Sequence, residues 1–468
     1  MAENAVFWKQ GLFLHPQHFQ LMSRQIHGAI EPVLRLASPN AWGASHLRIR
    51  ESALENGILD IVGGDFLFPD GTHVRLPANA VLPSRKMPDS GSEDDDENGG
   101  GLLTAHVALR RWNDRGRNVS LRETTDRGAG RVETMYVSDL VPQTIPDLYS
   151  DGPEAQILTV RYALEIVWES EIEQYGDCHL LPVARVRKIG DRLQIEKSYI
   201  PPSPSIGAHP DLLNRVRNIR DGLLGRCKRL DEYKPAENMS LSSPLNPETV
   251  AVLLAMRSLN AYAAFFDHLC DAPDAHPWDV YGVVRQLAGE LSSFSAGIDA
   301  LCRTSEGETL LPPYDHNDPG MCFARAEALL ARLLDALVVG PQAIAPFEAT
   351  GAIMSATLPV EKMTDGHGCW LALKPHRDID DISIQALNAI KLGPASAMAV
   401  LRARALPGVP LKPRDEAPPG LPRRKGVYYL EIEHDSQLWR ETVLEGRAGL
   451  TWEGQADSLD AFLAVMTA

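Results

Sequence analysis

The spacing of apolar residues changes along this chain, and each spacing predicts a different kind of secondary structure. Residues 45–200 carry short apolar runs separated by turn residues, which is typical of β-strands. Residues 212–337 carry apolar residues three and four positions apart, which is typical of helices. From about Ala343 onwards the two patterns alternate. The sequence therefore predicts a β region, a helical region and a small α+β region, in that order.

The β region is predicted to consist of short strands. The predicted strands are Leu54–Val62, Phe66–Phe68, His73–Leu76, Thr104–Leu109, Arg131–Val137, Gln156–Val167, Val183–Ile189 and Arg192–Ile195. Gly190 and Asp191 supply a hairpin loop between the last two strands. Such strands with frequent turns are typical of one or two β-sandwiches. Residues 90–101 are too polar to pack and are interpreted as a surface loop, with a calcium site as the alternative.

Four helices are predicted after a stiff, proline-rich linker at Ser198–Pro210. The first has apolar positions at Leu212, Val216, Ile219, Leu223, Cys227 and Leu230, and the third at Val280, Val284, Leu287, Leu291, Phe294, Ile298 and Leu301. The second begins at Asn246-Pro247 and covers Val250–Leu269; the fourth begins at Asp318-Pro319 and places Phe323, Ala326, Leu330, Leu333 and Leu337 on one face. These seams predict a helical bundle, formed within one chain or shared between chains.

The last region is predicted to be a small α+β domain. Its predicted strands are Trp370–Leu373 and Val427–Ile432, and its predicted helices are Pro394–Leu406, Ser436–Leu444 and Asp457–Val465. The proline-rich segment Pro407–Pro422 is interpreted as a loop, and it ends in the basic run Arg423-Arg424-Lys425. That run is either a solvated loop or a contact for an acidic partner.

Composition narrows the class of protein. The chain has 468 residues, enough for two to four domains, and its 44% hydrophobic and 23% charged residues are ordinary for a soluble globular protein. The net charge of −16 argues against nucleic acid or an anionic membrane surface as the main partner. We expect no secretory signal and no membrane span, because no uncharged apolar stretch approaches the roughly 18–20 residues that a span needs.

The six cysteines are scattered without C-x-x-C spacing, at Cys178, Cys227, Cys270, Cys302, Cys322 and Cys369. Four of them fall in predicted helices. This arrangement is typical of reduced, buried thiols in the cytoplasm, and it favours neither a disulfide framework nor a zinc site.

No catalytic motif stands out in the sequence. The phosphate loop, the dinucleotide fingerprint, the nucleophile elbow and the H-E-x-x-H motif are all absent. His15 and His18 are three residues apart, but Pro16 between them disfavours a shared helical face for a metal. Asp378, Asp380 and Asp381 could serve acid–base or cation chemistry, but without a glycosidase-like context a solvated turn is the favoured interpretation. We therefore expect no enzyme, no metal and no cofactor.

The amino-terminal segment Trp8–Gln20 is unusually apolar for a chain terminus. It contains Trp8, Leu12, Phe13, Leu14 and Phe19, side chains that anchor cores and interfaces. Pro16 predicts an extended chain before it and a turn or helix after it. The segment is either a first strand packed into its own domain or an arm that docks on a partner or sister subunit.

The segment Trp8–Gln20 resembles the opening signature of the TssK family, the baseplate subunit of the bacterial type VI secretion system, which reads roughly W-x-x-G-L-F-L-x-P-Q-H-F-Q. Tyr199-Ile200-Pro201-Pro202, followed by Ile206 and Leu212, resembles the family's junction into its helical region. Ile390–Ser396, Leu406–Leu411 and Tyr428–Leu430 resemble its carboxy-terminal segment. The order of the three regions agrees as well, so the likeness covers essentially the whole chain.

The resemblance implies a multidomain α+β fold: an amino-terminal β-sandwich shell (1–200) with a docking arm, a central four-helix bundle neck (201–341) and a small carboxy-terminal α+β head (342–468). It implies a non-enzymatic homotrimer in the cytoplasm, associated with the inner membrane through proteins. The shell side would bind the TssF–TssG wedge, and the head would face the TssJ–TssL–TssM membrane complex. The residues carried over as partner-binding are Trp8, Gly11, Leu12, Phe13, Leu14, Pro16, Gln17, His18 and Phe19.

Two other functions stay open at this point. A phage-tail-like receptor-binding protein would share a β shell, and the family shell is itself similar to the shoulder of phage receptor-binding proteins. A cell-wall-acting enzyme with a dispersed catalytic site is the third hypothesis.

Overall fold

The computed structural model describes residues 4–88, 102–122, 132–189, 192–234, 247–337, 343–350, 353–363, 368–375, 389–414, 418, 421, 426–452 and 459–466. The chain forms two compact units. The first comprises residues 1–220 and 265–331, and the second comprises residues 221–264 and 332–468. Each unit contains both helices and strands, so the fold is a multidomain α+β fold, as predicted.

The first unit begins with a long helix, which is followed by a series of short strands. These elements are α1 (Pro16–Ala37), β1 (Gly43–Ile49), α2 (Glu51–Leu54), β2 (Ile58–Leu59), β3 (Ile61–Leu67), β4 (His73–Leu76), β5 (Ala80–Val81), β6 (Arg85–Lys86), β7 (Leu102–Arg110), β8 (Val119–Arg122), β9 (Tyr136–Asp139), β10 (Gln143–Ile145), β11 (Ala155–Ile157), β12 (Arg161–Trp168), β13 (Cys178–Ile189) and β14 (Arg192–Ile195). The largest sheet has the order β14-β13-β7-β12-β9-β8, with β5 beside β12. A second sheet has the order β1-β3-β4, and β2–β6 and β10–β11 form separate pairs.

One hydrophobic core joins the two larger sheets of the first unit. Phe66 and Val74 from the three-stranded sheet lie in the same cluster as Leu164 and Leu181 from the large sheet. In β4 the burial alternates residue by residue, because successive side chains of a strand point to opposite faces. Trp168 is fully buried, and its indole N–H donates to the Lys86 carbonyl at 3.2 Å.

Most predicted strands of this region are present, with shifted bounds. His73–Leu76 is a strand as predicted, and β13 and β14 pair antiparallel with Ile189 opposite Arg192, as the predicted hairpin requires. Leu54 was predicted in a strand but belongs to α2, because a tight turn closed by the Gly57 N–H and the Leu54 carbonyl separates it from β2. The predicted strand at residues 131–137 begins only at Tyr136. Residues 90–101, Gly190 and Asp191 lie outside the described residues.

The four long helices of the predicted helical region begin at a proline in each case: α3 (Pro210–Leu230), α4 (Pro247–Cys270), α5 (Pro277–Ser292) and α6 (Pro319–Ala336). Proline suits the first helical position, where its missing N–H would have no intrahelical partner. All six predicted seam positions of α3 are buried, so the apolar spacing identified this helix and its inner face correctly. In α6, four of the five predicted positions are buried, and Leu337 lies just past the helix end.

The third predicted helix, with apolar positions from Val280 to Leu301, extends beyond the end of the observed helix α5. It ends at Ser292, so Phe294, Ile298 and Leu301 continue its spacing without being helical, and Cys302 lies in a turn. The Ser292 hydroxyl donates to the Gly289 carbonyl at 2.7 Å and competes with the helical hydrogen bonds. Gly297 then adopts a φ of +84°, which reverses the chain.

One described helix, Val250–Cys270, is long and apolar enough to cross a membrane by length and composition, which the sequence-based expectation had not anticipated. It is not an uncharged stretch, because it carries Arg257 and Asp267. Within the protein, 39% of its apolar window is buried, including Leu259 and Phe266. The core helix of a soluble protein meets the same criterion, so this feature is weak support for a membrane span.

In the described residues from Ala343 onwards, the second unit contains two sheets and two short α-helices. Its elements are β15 (Ala343–Pro346), β16 (Glu348–Thr350), β17 (Ile353–Thr357), β18 (Gly368–Pro375), β19 (Ile390–Pro394), α7 (Met398–Ala403), β20 (Leu411–Arg414), β21 (Tyr428–Ile432), α8 (Gln437–Glu445), β22 (Arg447–Trp452) and β23 (Leu459–Met466). The sheets have the orders β15-β23-β18-β21-β20 and β16-β17-β22-β19. Leu371, Leu463, Leu392 and Leu450 share one core, which therefore joins both sheets.

The last predicted helix of the chain is a strand. Residues 457–465 were expected to be helical, but Leu459–Met466 pairs with β18 on one side and with β15 on the other. A strand inside a sheet is buried on both faces, so its apolar run resembles a buried helix in sequence. The predicted helix Pro394–Leu406 is reduced to α7, because Pro394 ends β19.

Other predictions for this region have mixed outcomes. The predicted loop Pro407–Pro422 contains β20, which lies at a sheet edge where proline is tolerated. The strands predicted at Trp370–Leu373 and Val427–Ile432 and the helix at Ser436–Leu444 are present as β18, β21 and α8. Arg423-Arg424-Lys425 and the acidic cluster Asp378, Asp380 and Asp381 lie outside the described residues.

Candidate functional site

The amino-terminal arm, which we define as residues 4–19, consists of an irregular segment up to His15 and the first turn of α1. The Leu12 N–H donates to the Lys9 carbonyl at 3.2 Å, and Gly11 adopts a φ of +79°, so the chain turns here. Glycine takes this conformation without a steric penalty. The first α1 residue is Pro16, as its effect on the backbone predicts. The arm is not a strand, so the interpretation of a first strand packed into its own domain is wrong.

Two histidines cap the amino-terminal end of α1. The His15 N–H donates to Nδ1 of His18 at 3.0 Å, and the His18 N–H donates to the His15 carbonyl at 3.0 Å. Their rings stack with centroids 5.9 Å apart. Nδ1 of His18 is therefore occupied in a helix cap. In the described part of the chain, no group of three or more His, Cys, Asp or Glu side chains is arranged to hold a metal ion.

The large apolar side chains of the arm are exposed. The exposed fractions are 50% for Trp8, 78% for Phe13, 55% for Leu14 and 50% for Phe19. Their ring contacts are made within the arm itself: Trp8 lies 6.0 Å from His18, and Phe13 lies 5.1 Å from His15. Among the remaining predicted residues, Leu12 and His18 are half-buried, and Gly11, Pro16 and Gln17 are exposed. Of the nine predicted residues, seven are therefore exposed and two are half-buried.

Helix α1 carries an exposed apolar stripe beyond the arm. The stripe consists of Met22, Ile26, Ala29, Val33 and Leu36, all of them exposed. Residues three and four positions apart lie on one face of a helix, so the spacing of 4, 3, 4 and 3 places them in a line. Sequence reasoning had placed a turn or helix after Pro16 but had missed the stripe, although its spacing is visible in the sequence.

The opposite, polar face of α1 lies against the β region of the same unit. The Arg24 guanidinium lies 4.5 Å from the centre of the Trp112 ring, a cation–π contact, and 3.7 Å from Asp114. Further along the helix, the Leu34 side chain packs beside Gly71, where an added Cβ would lie 3.0 Å from Leu34 Cδ1. On this helix Arg24 and Glu31 therefore face the protein body and Met22, Ile26 and Val33 face solvent, the reverse of the usual arrangement.

A groove of about 890 Å³ separates α1 from the sheet. It is lined by charged and aromatic side chains, including Arg24, Asp70, Asp114, Tyr136 and Tyr162. Burial alone would raise the pKa of Asp70, but the hydrogen bond and charge of His179, 3.3 Å away, and bonds from Thr72 lower it to about 2. Arg24 pairs with Asp114 and Asp70 with His179, and among the described residues that line the groove no pairing of groups indicates catalysis.

Two buried histidines form hydrogen bonds with the backbone of the connection between α1 and β1. His276 Nε2 donates to the Asn40 carbonyl at 2.7 Å, and its Nδ1 accepts from the Trp278 N–H at 3.1 Å. His316 Nε2 donates to the Trp42 carbonyl at 2.7 Å. The two rings stack with centroids 5.6 Å apart. Sequence reasoning missed this pair, because nothing in the sequence connects residues so far apart.

The cysteines do not form a nucleophilic site. All six are buried and none is in a disulfide. Burial raises the pKa of the Cys369 thiol to about 12, whereas a nucleophilic cysteine needs a lowered pKa. The neighbouring His434 is occupied, since its Nε2 accepts the Cys369 backbone N–H at 3.0 Å.

The chain is similar to known proteins along its length. The family model for bacterial type VI secretion proteins EvfL, ImpJ and VasE matches residues 18–466, so most of the arm precedes the match. Type VI secretion system baseplate component TssK1 of Pseudomonas aeruginosa is 27% identical over 467 residues, which cover 99% of each chain.

Solved structures share the fold. A crystal structure of TssK has a TM-score of 0.59 at 22% identity, covering 100% of both chains. A chain of the type VI secretion baseplate complex has a TM-score of 0.62 at 21% identity, again covering 100% of both chains. A chain of the TssK–TssF–TssG baseplate subcomplex, determined by cryo-electron microscopy, has a TM-score of 0.59 at 21% identity and covers 72% of this chain and 100% of that chain.

Proposed function

Because the chain belongs to the VasE and TssK family of bacterial type VI secretion proteins, we propose that it is a non-enzymatic structural adaptor of the type VI secretion baseplate. Its partner on the arm side is a TssF–TssG wedge. The exposed aromatic arm is the observation that supports this role most directly, since four large apolar side chains there are at least half exposed. A solved TssK–TssF–TssG subcomplex, in which a similar chain occurs together with TssF and TssG, supports the choice of partner.

The arm suits a docking role for a physical reason. Trp8, Phe13 and Phe19 offer large apolar surfaces with few rotatable bonds, so ordering them on a partner costs little conformational entropy. The turn at Gly11 and the helix start at Pro16 fix the direction of the segment. Such a segment gains affinity by inserting its anchors into a partner's pockets and needs no pocket of its own.

We extend the proposal to the remaining parts of the chain on the basis of the family resemblance. Residues 1–200 form the shell, 201–341 the four-helix neck and 342–468 the head. The protein acts as a homotrimer, and the head contacts the TssJ–TssL–TssM membrane complex. The protein is cytoplasmic and reaches the inner membrane only through these partners. Three copies of each weak arm contact then multiply avidity.

The arm is tested by the double substitution Phe13→Ala and Phe19→Ala. We expect the dissociation constant for a purified TssF–TssG wedge from the same bacterium to rise about tenfold to a hundredfold, because both anchors are removed. The measurement is biolayer interferometry with immobilised wedge, on protein whose circular dichroism and melting temperature match the wild type.

The matched control is the double substitution Leu148→Ala and Tyr149→Ala. These two side chains are also apolar and exposed, at 82% and 100%, but lie outside the arm. We expect the control to bind the wedge as the wild type does. A wild-type protein that does not bind the wedge would contradict the proposed function, and unchanged binding by the arm variant would contradict the role of the arm.

A further inference from the structure

The connection between α1 and β1, residues 38–42, is bonded to two buried histidines. His276 and His316 donate from Nε2 to the carbonyls of Asn40 and Trp42, each at 2.7 Å. The rings of Trp42 and His316 also meet edge to face, with centroids 4.6 Å apart. Two carbonyls and one ring of this short connection are therefore fixed to the protein body.

Both imidazoles are held in turn by the residues around α5. Nδ1 of His276 accepts the Trp278 N–H at 3.1 Å and so caps the start of α5. Nδ1 of His316 accepts from the Tyr314 hydroxyl at 2.9 Å, and the two imidazoles stack with centroids 5.6 Å apart. A carbonyl only accepts and a backbone N–H only donates, so the proton of the His276 ring must be on Nε2. All four ring nitrogens are bonded, which fixes the orientation of both rings.

The connection has a strong influence on the direction of α1, because much of one side of the helix borders a groove. The groove of about 890 Å³ runs beside residues 17–31. The contacts of the helix with the β region include that of Arg24 with Trp112 and that of Leu34 with Gly71. With 22 residues, α1 extends over about 33 Å between the connection and the arm. A rotation of about 10° at the connection would therefore displace the arm by about 6 Å.

We propose that His276 and His316 are positioning residues for the wedge contact, which set the direction in which α1 presents the arm. The inference rests on the proposed function, since the wedge is the partner that the arm must reach. Anchors such as Phe13 and Phe19 contribute affinity only when they enter closely packed pockets, and a displacement of several ångströms would remove them from those pockets. Both histidines are buried, so they act through the backbone that they hold.

Asparagine and glutamine separate the two hydrogen bonds that each imidazole makes. Asparagine has a polar atom near the position of Nδ1 and none at Nε2, so His276→Asn keeps a good cap for α5 and loses the bond to Asn40. Glutamine reaches the position of Nε2 with an N–H donor and restores the bond to the carbonyl. The variants His276→Asn with His316→Asn and His276→Gln with His316→Gln both lack the imidazoles and differ in the carbonyl bonds.

The first measurement is the dissociation constant for a purified TssF–TssG wedge, by biolayer interferometry on full-length protein. We expect the double asparagine variant to raise it about tenfold, and the double glutamine variant to stay within about threefold of the wild type. In protein that also carries Phe13→Ala and Phe19→Ala, the asparagines should have no further effect, because the direction of α1 matters only through the arm. A general weakening of the fold would instead reduce binding equally in both backgrounds.

The second measurement, hydrogen exchange followed by mass spectrometry, needs no wedge. The Trp42 and Ala44 N–H groups both donate to backbone carbonyls at 2.8 Å. Peptides covering residues 38–44 should exchange about tenfold faster in the double asparagine variant and near the wild-type rate in the double glutamine variant. Peptides from β12 in the core are the internal control and should be unchanged. If the double asparagine variant does not fold, His276→Asn alone replaces it, with an expected effect of about threefold in each measurement.

The outcomes separate the positioning role from the proposed function. If the wild type binds the wedge and a folded asparagine variant binds it equally well, the positioning role is overturned and the adaptor role stands. Equal losses of binding by the asparagine and glutamine variants also overturn it, because the carbonyl bonds would not be the cause. A wild type that does not bind the wedge overturns the proposed function, and this inference with it.

Discussion

Replacing Gly43 with alanine is expected to lower the free energy of unfolding of the first unit by about 3 kcal/mol or more. Gly43 begins β1, directly after the connection from α1, and has a φ of +146°. An added Cβ would lie 2.4 Å from the Pro202 carbonyl oxygen and 2.9 Å from the Ser203 nitrogen, both backbone atoms. The Ala44 N–H donates to that same carbonyl at 2.8 Å, so the two segments cannot separate without losing this bond.

The measurement is urea denaturation followed by circular dichroism, with Gly282→Ala as the control. Gly282 lies in the interior of α5, and nothing lies within 4 Å of an added Cβ there. Alanine is a better helix former than glycine, so the control should be stabilised by about 0.5–1 kcal/mol. If Gly43→Ala were as stable as the wild type, the start of β1 could move away from the Pro202 and Ser203 backbone, and the expected steric conflict would be wrong.

The second large effect is a loss of stability in acid caused by His316. This side chain is 5% exposed, and its Nδ1 accepts a hydrogen bond from the Tyr314 hydroxyl at 2.9 Å. Burial and, to a smaller extent, the neighbouring His276 together lower its pKa from the usual 6.5 to about 4, while the Trp42 carbonyl and Asp315 oppose the shift. The folded protein therefore favours the neutral form of the His316 imidazole over the protonated form.

The direction of the pH effect follows from proton binding. Between the folded and unfolded pKa values of about 4 and 6.5, the unfolded chain binds the proton and the folded protein does not. Lowering the pH through this window therefore favours unfolding, and this group alone should cost the first unit about 3 kcal/mol by the lower end. Above the unfolded pKa the cost is absent.

The measurement is urea denaturation at several pH values through this window. His316→Gln should flatten the pH dependence by the same amount, since the titrating group is removed. Tyr314→Phe deletes only the hydroxyl donor and keeps the imidazole, so this control should retain most of the acid-dependent loss. A wild-type stability that does not change across the window would contradict the assigned burial of His316.

The sequence predicted more features of the candidate site than of much of the fold. The position of Pro16 was sufficient to predict that the apolar segment Trp8–Gln20 continues into a turn or helix. The exposure of Phe13 and Leu14 could not be predicted, because the same apolar residues are equally typical of a buried first strand. The stripe on α1 has a clear periodicity, but periodicity defines a face and does not determine what the face contacts.

Helix prediction succeeded where the apolar spacing coincided with a buried face. The α3 seam from Leu212 to Leu230 is the clearest case. It failed at Phe294, Ile298 and Leu301, where the Ser292 hydroxyl and Gly297 ended α5 although the spacing continued. It also failed at β23, whose apolar residues lie in a strand between β15 and β18, a consequence of sheet neighbours far away in the sequence.

The sequence by itself determined the order of the three regions, the starts of the long helices and the apolar arm, because each depends on residues close together in the chain. Proline at a helix start and apolar residues three and four apart act through local backbone geometry. Only the tertiary structure decided that Gly43 meets Pro202, that His276 and His316 stack over the α1–β1 connection, and that α1 turns its polar face inward. These features depend on contacts between distant segments, which the chain specifies only through the packing of the whole unit.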